Sequence, residues 1–82
     1  MKHATAEYLK AYDGLLNEVR TFKRLREKKP GSFYLGGKGL LHFHENQACL
    51  FADLKAGLEF VHYPVNTAKE QAVLLRAISA LP

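Results

Sequence analysis

Two histidines two positions apart, His42 and His44, are the residues best suited to chemistry. On a strand, residues i and i+2 point to the same side about 6.5–7 Å apart. Both imidazoles could then reach one Zn²⁺, with Cys49, Asp53 or His62 as a third ligand. The same pair suits acid–base work, because imidazole titrates near neutrality. Histidines at i and i+2 also arise readily by chance, and imidazole serves a half-exposed sheet face as an amphipathic packing group. Zinc is therefore the one cofactor candidate, and the plainer expectation is no cofactor and no enzyme.

Cys49 across a hairpin from His44 suggests a thiolate–imidazole pair. No third group to orient it is evident, and a lone strand cysteine ordinarily behaves as a small apolar residue. Gly36-Gly37-Lys38-Gly39 has the flavour of a phosphate loop. A Walker loop, however, needs G-x-x-x-x-G-K-[ST] spacing and a following helix. Here a strand follows, so a turn with left-handed glycines accounts for the run better.

Charge is more localised. Arg20, Lys23, Arg24, Arg26, Lys28 and Lys29 against Glu27 put +5 between residues 20 and 29, while the 82-residue chain carries +4 in all and its remainder is slightly acidic. As the basic end of a helix this segment suits the negative pole of the dipole. As a phosphate-binding patch it would bind nucleic acid with an affinity that falls with salt. Against the second use, there is no helix-turn-helix pattern and the aromatics do not interleave with the cations.

The elements that must position these residues follow from periodicity. Tyr8, Leu9, Tyr12, Leu15, Leu16, Val19 and Phe22 recur at spacings of three and four, which predicts a helix over residues 4–28. Thr5 is its N-cap and Glu7 lies in its first turn. Gly14 is a point of weakness, and Pro30-Gly31 is its stop. Strands are expected at Ser32–Leu35, Leu40–Glu45, Ala48–Lys55 and Leu58–Val65, joined by connections too short for anything but an antiparallel meander. Thr67-Ala68-Lys69-Glu70 matches a capping box and opens a second helix over 68–80.

If Asn46-Gln47 is a two-residue turn, Glu45 faces Ala48, His44 faces Cys49, Phe43 faces Leu50 and His42 faces Phe51. One face then carries Leu41, Phe43, Leu50, Ala52 and Leu54, an apolar set for the helices to cover. The other carries Leu40, His42, His44, Cys49, Phe51 and Asp53. The face of Phe60 and His62 depends on whether their turn holds two residues or three, and Tyr34 is equally open.

The composition, with 48% hydrophobic and 24% charged residues, is that of one ordinary globular domain spanning residues 1–82. No apolar run approaches the roughly 18 residues of a membrane span, so no membrane partner is expected. The N-terminus has no apolar signal-peptide core. One cysteine precludes an internal disulfide, which points to a reducing cytoplasm.

Phe33-Tyr34-Leu35, Leu41-His42-Phe43-His44-Glu45 and Leu50-Phe51-Ala52-Asp53-Leu54-Lys55, continued by Phe60, Pro64-Val65, Thr67 and Glu70-Gln71, resemble small uncharacterised bacterial proteins with an FLHFHE- and FADLK-like core. The resemblance covers residues 32–75, implies a bacterial cytoplasmic domain, and carries over no catalytic residue. The fold expected is α+β: a helix, an antiparallel meander of three to four strands, and a helix, with both helices on one face. The other face, lined by Tyr34, Leu40, His42, His44 and Phe51, is then an open surface for self-association, making a homodimer, or for a protein partner.

Overall fold

The computed structural model describes residues 2–81. The chain runs β1 (Lys2–His3), α1 (Ala6–Leu9), a 3₁₀ turn (Lys10–Tyr12), α2 (Asp13–Arg20), β2 (Arg26–Lys29), β3 (Ser32–Leu35), β4 (Lys38–Asn46), β5 (Cys49–Ala56), β6 (Glu59–Pro64) and α3 (Ala68–Ser79). It is an α+β fold built on an antiparallel sheet.

The helix expected over 4–28 is two short helices, and its last third is not helical. Thr5 caps α1 as its side chain predicts, Oγ1 accepting the Tyr8 N–H at 3.1 Å. The break falls at Lys10–Tyr12, while Gly14 continues inside α2. Tyr12 departs from helical geometry with φ −117°, and its hydroxyl donates to Asn66 Oδ1 at 3.3 Å. After Arg20 the Thr21 hydroxyl turns back to donate to the Glu18 carbonyl at 2.6 Å, and the chain leaves the helix.

Arg26–Lys29 is a strand rather than a basic helix end. Pro30-Gly31 is a hairpin turn linking it to β3, with Arg26 opposite Tyr34, Glu27 opposite Phe33 and Lys29 opposite Ser32. Proline followed by a glycine at φ +77° is the sequence that a type II turn demands. Glu27 locks the arrangement. Its carboxylate accepts from Arg20 Nε and Nη2 at 2.7 and 3.1 Å and from the Gly31 N–H at 3.1 Å, tying the end of α2 to the hairpin.

Among the described residues the sheet therefore has six strands where three to four were expected: β2-β3-β4-β5-β6 in order, with β1 on β4. One edge of β4 is shared, β3 pairing with Lys38 through His42 and β1 with His44 and Glu45. At the junction the Phe43 N–H donates to the Gly31 carbonyl and the Ala4 N–H donates to the Phe43 carbonyl, at 3.0 and 3.1 Å.

The central hairpin turns at Gln47-Ala48, one residue later than expected, both in left-handed conformations (φ 53° and 65°). Asn46 pairs with Cys49, His44 with Phe51, Phe43 with Ala52 and His42 with Asp53. The expected partners are thus displaced by two residues along β5. Since faces repeat every two residues, the division into faces survives the slip. The register sets the bulky Phe43 across from the small Ala52, which lets the core layer close. The last hairpin also turns on two residues, Gly57-Leu58, with Ala56 opposite Glu59, so Phe60 and His62 lie on the histidine face.

The buried cluster joins Leu9, Leu15, Leu16 and Val19 of the first helices and Leu74 and Ile78 of α3 to Phe33, Leu41, Phe43, Leu50, Ala52 and Leu54 of the sheet. The capping box at Thr67 and Glu70 forms in full, and α3 ends one residue short of the expected 80. Asn66, before the box, accepts the Leu50 N–H through Oδ1 at 2.7 Å and donates to the Leu50 carbonyl through Nδ2 at 3.1 Å. That pair of bonds fastens the entry of α3 to β5.

Candidate functional site

Alternation along β3, β4, β5 and β6 brings the predicted histidines to one sheet face. His42 and His44 project from β4, Phe51 and Asp53 from β5, and Phe60 and His62 from β6. Tyr34 of β3 stands beside them: a Cβ built on Gly39 would lie 3.0 Å from His42 Nε2 and 3.7 Å from Tyr34 Cε2. Gly39 thus leaves room for those two rings to approach.

Asp53 organises the face. Its Oδ2 lies 3.1 Å from His44 Nε2 and its Oδ1 lies 2.6 Å from His62 Nδ1, so one carboxylate holds two imidazoles, one on each oxygen. The rings pack around that bridge. His42 stacks with His44 at 6.2 Å between centroids, Phe51 stacks on His62 at 4.6 Å, and Phe60 meets His42 edge-on at 5.7 Å. Imidazole–aromatic contacts of this kind order the side chains and present a flat, semi-apolar layer to solvent.

The proposed residues do not all meet there. Leu40 is 8% exposed and belongs to the core. The register shifts between Phe33 and Tyr34, giving β4 an extra residue at this point, and the bulge turns Leu40 inward. Cys49 is exposed at the tip of the central hairpin opposite Asn46, away from the Asp53 bridge, so it is not across from His44. Among the described residues, no group of three or more His, Cys, Asp and Glu side chains is disposed to hold a metal ion. Chemically, Asp53 can accept a hydrogen bond from each imidazole, one on each carboxylate oxygen.

The cationic residues divide. Arg20 is bound to Glu27, and Asn17 Oδ1 accepts from its Nη1 at 3.0 Å. The Glu27 hydrogen bond raises the guanidinium's proton affinity, and Glu27 is correspondingly held below the ordinary glutamate range, by the Arg20 hydrogen bond first and the Gly31 N–H after it. Lys23 lies in the exposed turn after α2, and Lys29 ends β2 beside Pro30. Arg24, Arg26 and Lys28 instead line a cleft of about 350 Å³ with Tyr34, Gly36 and Gly37. The Lys28 ammonium sits 4.5 Å over the centre of the Tyr34 ring. An aromatic ring does stand among the cations, which the sequence order alone conceals because residue 34 is on the next strand.

No protein-family model, no curated protein and no solved structure matches this chain. No described helix is long and apolar enough to cross a membrane.

Proposed function

We propose that this chain is a non-enzymatic, self-associating protein, and that its open sheet face is a contact surface of a homodimer. The reading takes both helices to cover the same side of the sheet. It is supported by the single cluster in which their buried residues join Leu41, Phe43, Leu50, Ala52 and Leu54. The observation that carries it is the layer formed by Tyr34, His42, His44 and Phe51, continued onto β6 by Phe60 and His62. Phe60 is 50% exposed at its border. His42 contacts His44 and Phe60, Phe51 stacks on His62, and His44 and His62 hold Asp53, so the layer is ordered before anything docks on it. A preordered aromatic layer loses little side-chain entropy on association.

Light scattering over a concentration series is the test. The parent chain is expected to reach twice its 9.2 kDa monomer mass, and Phe60→Asp to weaken that association while the helical circular dichroism is unchanged. A folded Phe60→Asp variant that associates as the parent does would contradict the reading.

A second reading is favoured by the cleft at Arg24, Arg26 and Lys28. Three cations around Tyr34 suit phosphate contacts beside a stacking ring, the combination used for single-stranded nucleic acid. With a labelled oligonucleotide as probe, Arg26→Gln with Lys28→Gln is expected to weaken binding and to reduce the salt slope by about 1 per lost contact. Equal binding by parent and variant at matched salt would eliminate this reading.

A further inference from the structure

Besides the two-residue β1, two described strands end the sheet, β2 and β6, and they are built differently. β2 is four residues long, reads Arg-Glu-Lys-Lys, and carries a register irregularity between Glu27 and Lys29. Short length, lysines and bulges are the devices by which proteins prevent an edge from pairing with another chain. β6 has none of these three, and its one edge device, Pro64, stands at its last position: it reads Glu-Phe-Val-His-Tyr-Pro over six residues, pairs regularly with β5 throughout, and contains no lysine or arginine. Three of the four large hydrophobic side chains exposed among the described residues belong to it or to its turn, namely Leu58 at 97%, Phe60 at 50% and Val61 at 42%. Phe60 and Val61 are consecutive, so the exposed apolar surface lies on both sides of this one strand.

The backbone of β6 is equally specific. Ala56 and Glu59 flank a two-residue turn and so form a hydrogen-bonded pair, and the Val65 N–H donates to the Leu50 carbonyl at 3.2 Å further along the same ladder. Alternation between those points directs the amides of Glu59, Val61 and Tyr63 toward β5 and those of Phe60 and His62 outward. Pro64 falls at an outward position, where its missing N–H costs the sheet nothing and ends the free ladder.

We propose that β6 pairs antiparallel with β6 of a second copy of this chain, joining the two sheets edge to edge. The inference rests on the self-association part of the reading above and places the contact at the β6 border of the histidine face, where Phe60 and His62 stand, rather than across the face as a whole. A two-fold axis perpendicular to the sheet keeps each face on its own side, so only same-face residues can be partners. Centring the axis on Val61 sets Val61 opposite Val61 of the partner subunit on the helix side. Phe60 then lies opposite the partner's His62 on the histidine side. Each such pair exchanges both N–H···O=C bonds, so all outward N–H groups of Phe60 and His62 in both copies are used. The alternative axis through His62 would set two imidazoles against each other. Pairing of β6 with β2 would instead meet the charged, irregular edge and would not close on itself. The result is one continuous sheet whose two histidine faces adjoin.

Two variants separate this geometry from face-to-face association. Val61 points away from the histidine face, so Val61→Lys leaves a face contact intact but sets two lysines together at the axis. It is expected to abolish the dimer by light scattering with the fold retained by circular dichroism. Val61→Cys on a Cys49→Ser background is expected to cross-link into a disulfide dimer under mild oxidation, since non-hydrogen-bonded partners in antiparallel strands approach within disulfide reach. Lys28→Cys on the same background, at the opposite edge, is not. A parent dimer that survives Val61→Lys, with no cross-link at position 61, would overturn edge pairing and leave self-association standing. A strictly monomeric parent would overturn both and leave the β6 edge to an extended segment of some other protein.

Discussion

Gly31 shows how much of this fold depends on single backbone positions. It sits at φ +77°, its N–H is held by Glu27 and its carbonyl takes the Phe43 N–H. A Cβ there would lie 2.7 Å from Leu9 Cδ1, a side chain that is itself buried in the core. Gly31→Ala combines left-handed strain with overpacking and is expected to cost about 2–3 kcal/mol in a urea melt; a cost under about 0.5 kcal/mol, the range of an ordinary surface change, would contradict the role assigned to it. Glu27 supplies the pH dependence. Its carboxyl is held below 4.5 in the folded chain, chiefly by Arg20 and then by the Gly31 amide, with burial opposing both. A group depressed on folding contributes stability above its unfolded value and loses it as pH falls through the folded one. Stability is therefore expected to decline as pH drops below 4.5, and Glu27→Gln to flatten that decline while costing about 1 kcal/mol at neutral pH. Arg20 is 40% exposed, which keeps the contribution at the modest end. Identical acid melts for parent and variant would contradict this.

At the scale of elements, alternation and capping were legible and local turn chemistry was less so. The strand Ser32–Leu35, the N-cap at Thr5 and the capping box at Thr67 follow directly from residue types at fixed spacings. β2 did not, because Arg26–Lys29 has the composition of a helix end and no apolar alternation. Its strand conformation is fixed by partners, Glu27 on Arg20 and Gly31, that only the tertiary structure brings together. The available signal was Pro30-Gly31, which marks a turn as readily as a helix stop. Leu40 was misplaced for a similar reason: a bulge cannot be read from alternation, since it is the exception to it. The central hairpin slipped by a residue because Gln47 and Ala48 are poor left-handed residues, and the register is set by core packing instead. That mismatch leaves stability to be gained. Gln47→Asn with Ala48→Gly is expected to add about 1 kcal/mol, raising the thermal midpoint by about 4–8 °C for a chain of this size. No rise in a thermal melt would mean that the turn is not strained.

At the scale of the whole molecule, the sheet separates a packed face from a patterned one and a guarded edge from an unguarded one. The packed face was visible in the sequence as the run Leu41, Phe43, Leu50, Ala52 and Leu54. The histidine face is legible in part: alternation places Asp53 on it with His42 and His44, but not its place as the carboxylate between His44 and His62, because His62 comes from a strand whose turn the sequence leaves open. The difference between the edges was not visible at all, because which strands end the sheet depends on β2 being a strand. Joining two copies at β6 would cover exposed Phe60 and Val61 and bring two histidine faces into one surface.

The most direct measurement is amide hydrogen exchange at Phe60 and His62 as protein concentration is raised. Self-association through β6 predicts that both outward amides become progressively protected. The amides of β2, at the other edge, should keep the same rate throughout. Rates at Phe60 and His62 that stay constant across the concentration range would contradict the account.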